Sequence, residues 1–587
     1  MREKIKRIPY GKGDFEAVNA QNKYYVDKTQ FIPLLEETDY IFFIRPRRFG
    51  KSLLLSTLNS YYDINNKENF ERLYHNTWIL DNPTEERGIY MIMSFNFSII
   101  TCEKEAVQKN FNDYCITVIK YFLKKYKKYI PQDVIENVNK KNSAHEKLQT
   151  LSVGLEQNPT KIYILIDEYD NFTNTLLAKY GKSEYEEITR NEGFFKEFFR
   201  TLKALATGSG AGLARMFITG VSPITMDDVT SGMNIGDSRT TDFALNTLLG
   251  FTEDEVSEMI DYYIGVGEFK QPKDETMQLL KTWYDNYKFA EYAEESVYNT
   301  DMILYFVNKS RNLPVKFNQL IDHNAKVDYS KLRHFITVGN RLNGNFSLIE
   351  EILQGGAISA DLVSSFPYEY LTERNNFVSL LFFFGLITID GEYRGQTKFK
   401  IPNLAVQKFM NDFITEGYRK ACEINLDMQK ISRAIAEMAY VNEWENCIDL
   451  LAEKIPECLA VRDLIDREKS VQVLFIALLH YGNPYIISSE LEANFGFIDI
   501  ALAPDLLHYP DMEDAYLIEL KYLKKSEEYT KEKENEFIET AKSQLAKYVK
   551  DKNIQKQWQL QPNGNIRLTK LVIIFHGEEM KYKGEVQ

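Results

Sequence analysis

The sequence predicts a multidomain α/β protein, and three observations carry that reading. A short apolar run, "DYIFFI" (39–44), leads into Arg45-Pro46-Arg47-Arg48-Phe49-Gly50-Lys51-Ser52 and then into leucines at helical spacing. Strand, loop and helix in that order are the setting of a phosphate-binding loop, so an ATPase core of doubly wound type is expected. A second apolar strand, "KIYILIDEYDNF" (161–172), ends in the acids Asp167 and Glu168. Residues 468–587 read as a helix, three strands, a long charged helix and a further strand.

The 587-residue chain is several times an ordinary domain, so several domains are expected. A net charge of −14 argues against a broadly basic surface, and any nucleic-acid contact must be a local groove. The five cysteines form no C-x-x-C pair and the seven histidines no H-E-x-x-H, which argues against structural zinc and a disulfide framework. The basic start "MREKIKRIPYGKGDFEAV" has no apolar stretch behind it, and the longest apolar run, Phe377–Ile389, is too short for a bilayer. A cytoplasmic protein without membrane contact is expected.

In the loop, Gly50 permits the backbone geometry, and the amides before Lys51 cradle phosphate oxygens at a helix N-terminus. Lys51 is expected to reach the β- and γ-phosphates of ATP and Ser52 to hold Mg²⁺; Phe49 belongs to the same nucleotide-contacting loop. Arg45 stands where the general frame has its first glycine, and Arg47 and Arg48 add charge beside the phosphates or face a partner. A buried strand-end acid is costly without a partner. Mg²⁺ held through water by Asp167, with Glu168 polarising the attacking water, supplies one. "RMFITGVSPI" (215–224) is another strand; Thr219 is either a γ-phosphate sensor or an ordinary strand-end hydroxyl.

These stretches resemble a bacterial AAA-ATPase-like family with a C-terminal PD-(D/E)XK nuclease-like domain. The resemblance rests on "IPYGKGDFEAV", "YYVDKT", "RPRRFGKSLLLSTL", "YILIDEYD", "FITGVSPI", "GFTEDEV", "WYDNYKFA" with "VYNT", and "FFFGLITI" with "IPN", in order along the chain. It implies ATP at Lys51, Ser52, Asp167 and Glu168, and it brings Arg45 with it as a feature of the type. It implies no defined cellular role.

Beyond the ATPase region, 1–250, a small helical domain is expected over 251–330, opened by a capping pattern at Thr252 and Glu255. Residues 331–415 are expected as a winged-helix-like module: helix, break at Gly385, strand, the turn "DGEYRG" and a second strand. With only Arg394, Lys398 and Lys400 on its wing, a packing role is favoured over DNA binding. Residues 416–467 read as helical connectors.

The α-β-β-β-α-β order of 468–587 is that of PD-(D/E)XK nucleases, a restriction-endonuclease-like fold. Asp499 lies within one strand, and Glu519 and Lys521 sit two apart on the next, so those two share a face. Neighbouring carboxylates repel unless a divalent cation lies between them. Asp499 and Glu519 are therefore expected to hold Mg²⁺ or Mn²⁺ with the carbonyl of Leu520, while Lys521 orients or deprotonates the attacking water. A literal search would choose Pro510-Asp511, but those lie in a turn. The resemblance adds Glu468 and Glu490 as accessory acids; Gln544 and Tyr548, four apart on the charged helix, are either a pair beside the site or part of a solvated helical face. It also expects Gly-Arg before the aspartate, where this chain has Gly496-Phe497.

Two functions follow from these residues. One is an ATP-gated, metal-dependent nuclease; the other is an ATP-driven switch or scaffold whose nuclease fold only binds nucleic acid or a protein partner. The intact Asp499, Glu519 and Lys521 favour the first; the missing arginine at Phe497 and the overall acidity favour the second. DNA against RNA, the trigger, the pathway and assembly into a homo-oligomer are left open.

Overall fold

A computed structural model describes residues 5–189, 193–207, 211–225, 235–311, 320–322, 337–338, 341–342, 344–421, 427–459, 467–479, 484–493, 496–506, 509, 511–549 and 566–586. The chain forms two compact units, residues 1–315 with 360–397 and residues 316–359 with 398–587. Among the described residues, no helix is long and apolar enough to cross a membrane.

The first unit is built on a parallel sheet of β1 (Tyr40–Ile44), β2 (Met91–Asn96), β3 (Ile162–Asp167), β4 (Leu213–Gly220) and β5 (Asp237–Ser238), in the order β2-β3-β4-β1-β5. All six residues of β3 are buried, as expected of a parallel strand covered on both faces. β4 lies between β1 and β3, so the carboxyl ends of all three open onto one edge, the usual ligand crevice of such sheets. The helix Lys51–Tyr62 follows β1 directly after the loop.

In the same unit, the expected cap is present: Thr252 accepts from the Glu255 amide and Glu255 from the Thr252 amide, opening the helix Glu253–Gly265. The helix Arg374–Phe383 also forms, followed by the strand Thr388–Tyr393 and by the strand Gln396–Lys400, whose last three residues are counted with the second unit. The turn is shorter than "DGEYRG": only Arg394 (φ 55°) and Gly395 (φ 83°) make it, and the residues before them extend the strand. Two positive-φ residues suffice for a tight hairpin, which frees the rest to pair. The stretch 331–415 is divided between units, its middle, 360–397, going with the first and its flanks with the second.

The second unit holds a mixed sheet of β6 (Tyr485–Ala493), β7 (Gly496–Pro504), β8 (Asp514–Leu523), β9 (Arg567–His576) and β10 (Glu579–Glu585), in that order. Only the β8–β9 pair is parallel. Ile498, Ala501 and Leu517 of the sheet pack with Val572 and Ile574 and with Leu545 of the helix Lys531–Tyr548. The strand β10 was not expected from sequence, because its alternation is nearly all polar, as suits an edge strand. The helices Met428–Val441 and Trp444–Leu459, expected as connectors, bond to the sheet. Tyr516 Oη donates to Met438 O at 2.9 Å, and Lys583 Nζ to Glu445 O at 2.8 Å.

Candidate active sites

In the first unit the loop after β1 turns into its helix through Gly50, whose φ of 97° favours glycine. Ser52 Oγ donates to Asp167 Oδ2 at 2.6 Å, so the loop helix and the end of β3 meet. Lys51 is buried, its Nζ donating to the carbonyls of Arg45 (2.9 Å) and Pro46 (2.8 Å). Burial, opposed by Asp167 and Glu168, pushes its pKa down to about 8. Burial likewise raises the Asp167 carboxyl. A hydroxyl and a carboxylate in contact at a helix N-terminus, with an ammonium beside them, are the donor set a magnesium nucleoside triphosphate needs.

Glu168 takes a left-handed backbone (φ 49°), its amide donating to Asp167 Oδ1 at 2.9 Å and its carboxylate accepting from Asn171. Thr219 is buried and donates to Phe43 O at 2.6 Å, so its hydroxyl is engaged by the sheet. Arg48 pairs with Asp301, and Phe49 packs edge-on to Tyr287 and Phe289 at 4.9 and 5.4 Å. These two side chains tie the loop to the 285–301 segment. Arg47 carries its charge near Asp170.

The departure at Arg45 has a structural reason. Its side chain is fully buried, donating to the carbonyls of Ile44, Thr240 and Leu245, with its guanidinium 4.2 Å from the Phe43 ring and 4.3 Å from Phe289. Glycine could not brace the loop against residues 240–245. Arg45→Gly, which restores the general frame, should therefore lower stability by about 2–4 kcal/mol, from lost charge-assisted bonds and orphaned carbonyls. An unchanged or raised denaturation midpoint would refute this.

Sequence reasoning missed two features here. Asp170 is fully buried and accepts from the amides of Val221 and Ser222, the latter at 2.6 Å, locking β3 to the end of β4. Its place in "DEYD" was the only signal. A mostly apolar pocket, open to solvent, also lies beside Gly50 and Leu53, lined further by Tyr25, Val26, Leu249 and Phe251.

In the second unit, Ile500 pairs with Ile518 and Ala501 with Leu517, which puts Asp499 directly across from Glu519. Asp499 Oδ2 accepts from the Leu520 amide at 2.8 Å. Lys521 Nζ donates to Glu519 Oε2 and to Gln544 Oε1, both at 2.9 Å. Tyr548, on the same helix as Gln544, feels the charges of Glu519 and Asp499. Five of the residues singled out from sequence, Asp499, Glu519, Lys521, Gln544 and Tyr548, thus converge.

By register Glu490 stands across from Asp499, since Ser489 pairs with Ile500 and Leu491 with Ile498. Glu468 lies on the helix Arg467–Leu479. The side chains of Glu468, Glu490 and Phe497, like residue Pro510, lie outside the described residues. Among the described residues no group of three or more metal-ligating side chains occurs, and Asp499 with Glu519 makes two.

Glu519 is 1% exposed, and its Oε1 has no hydrogen-bond donor. Burial first, then the charge of Asp499, raises its pKa against the pull of Lys521; burial raises that of Asp499 too. An orphaned carboxylate oxygen facing a second acid fits a divalent cation. Because both folded-state pKa values are raised, the pair destabilises the metal-free protein as pH climbs above the ordinary carboxylate range. Glu519→Gln should then stabilise the chelator-treated protein on the order of 1 kcal/mol at pH 8, and little at pH 5 where the acid is protonated anyway. Equal melting shifts at the two pH values would overturn this.

Residues 9–230 match the family described as "Predicted AAA-ATPase", and residues 466–585 match the PD-(D/E)XK nuclease superfamily. The N-terminal region is thus AAA-ATPase-like and the C-terminal region a PD-(D/E)XK domain, an ATPase-plus-nuclease architecture. The chain is also 26% identical over 305 residues to the "Uncharacterized protein in vnfD 5'region" of Azotobacter chroococcum mcd 1. That match covers 51% of this chain and 52% of the relative, so the chain spans about half the length of the curated relative.

Proposed function

We propose that the protein is a cytoplasmic ATPase whose nucleotide state gates a metal-dependent phosphodiesterase acting on nucleic acid. The observation that carries this reading is the convergence of Asp499, Glu519 and Lys521 on one face, with the Glu519 oxygen unsatisfied. A divalent cation bound by Asp499 and Glu519 would activate water and offset charge on a phosphodiester. Lys521, held by Glu519 and Gln544, keeps its ammonium on that face, where it orients the water or takes part in its deprotonation. The Leu520 amide fixes the Asp499 carboxylate.

In the ATPase region Lys51 and the loop amides bind phosphate, Ser52 and Asp167 are the magnesium-side groups, and Glu168 directs water. The apolar cavity beside Gly50 receives the base. The helix-and-hairpin stretch serves as a packing element, since a side chain at Gly385 would meet Pro46 of the loop at 2.8 Å.

The test is a cleavage assay on single- and double-stranded DNA and RNA with Mg²⁺ or Mn²⁺, with and without ATP. ATP-dependent cutting is the expected result. A chain that binds nucleic acid and cuts none under either metal would make it an ATP-driven scaffold, the reading that Phe497 in place of arginine favours.

A further inference from the structure

We infer that Gln472 is a positioning residue that fixes the main chain of Asp499 for metal binding; this rests on the nuclease reading of the same site. Two strands part beside this residue. β7 and β8 are bridged at Ile500–Ile518, Ala501–Leu517 and Leu502–Tyr516, and the bridges stop there. Past that point β8 continues its pairing with β9 as far as Leu523, while β7 stays paired with β6 as far as Gly496. Asp499 and Glu519 are the first facing residues beyond the last bridge.

Main-chain groups released from a ladder need other partners. Two side chains supply them at this fork. The Asp499 carboxylate accepts from the Leu520 amide at 2.8 Å, and the Asp499 carbonyl accepts from Gln472 Nε2 at 3.2 Å. Asp499 is thus held at both ends, through its side chain from β8 and through its backbone from the helix Arg467–Leu479. The helix is a firm support: Val471 and Val473 on either side of Gln472 are 3% and 1% exposed.

The hold matters because of what Asp499 faces. Two carboxylates facing each other across a strand pair, Glu519 buried and Asp499 half-buried, repel, and the cheapest relief is for the less supported strand end to turn one of them away. Gln472 opposes that movement before any cation arrives. Partners that orient a metal ligand change affinity about 10–100-fold when removed. No local signal marks this role, since a glutamine in an apolar helix reads as an ordinary half-buried position.

The test is calorimetric titration of the full chain with Mn²⁺ alone, without nucleic acid or nucleotide. Asp499→Ala serves as the blank that defines which heat belongs to this site. Gln472→Met removes the donor at nearly constant volume; Gln472→Asn keeps an amide that ends one methylene short, and carries the test if the first variant does not fold. Expected is a fall of at least about tenfold in Mn²⁺ affinity for each. A role confined to helix packing would lower the melting temperature in chelator and leave Mn²⁺ affinity as it was; that result overturns the proposal alone. If wild type and Asp499→Ala give the same heat, the metal-site reading falls, and this inference with it.

Discussion

Asp499→Ala and Lys521→Ala should each abolish the proposed metal-dependent cleavage by the full chain, by at least about 10³-fold, equivalent to roughly 4 kcal/mol of barrier. Removing Asp499 takes away one of two facing carboxylates and leaves the Leu520 amide without its acceptor. Removing Lys521 leaves Glu519 buried without its cation and Gln544 without its donor, and deletes the ammonium beside the site. Neither change should reach nucleotide binding, since the loop and the carboxylate pair belong to different units. ATP titration should therefore superimpose on wild type. Residual cutting within about tenfold of wild type by either variant would place the chemistry elsewhere.

Lys51→Ala should weaken ATP binding by at least about 100-fold. Charge-assisted hydrogen bonds contribute about 1.5–3 kcal/mol each, and the ammonium can give two to a triphosphate. In the structure Lys51 is occupied by the Arg45 and Pro46 carbonyls, which hold its charge in a buried place. Phosphate oxygens would offer it a stronger partner than neutral carbonyls. Calorimetry with ATP and Mg²⁺ checks the loss, and melting temperature without nucleotide checks that the loop still folds. Wild-type affinity in the variant would remove the loop as the triphosphate site.

Much of this was legible in the residues because local chemistry dictates it. A strand ending in Asp167, a loop ending in Gly50-Lys51-Ser52 and a two-residue spacing from Glu519 to Lys521 each carry their geometry with them. The capping pair at Thr252 and Glu255 did so as well. Arg45 was legible as an oddity but not as a brace, because Thr240, Leu245 and Phe289 reach it from far along the chain.

By itself the sequence determined the strand–loop–helix order around Lys51, the order of elements in 468–587 short of the edge strand β10, and which side chains share a strand face, since these follow from backbone periodicity within a few residues. Only the tertiary structure decided that β4 lies between β1 and β3, that Thr219 is engaged by Phe43, and that Asp499 stands across from Glu519. Strand order and register are set by packing of apolar faces distant in sequence, and a shift of one residue in β7 would have turned Asp499 to the other face. Gln472 belongs to the same class: its bond exists only because two strands separate beside the helix that carries it.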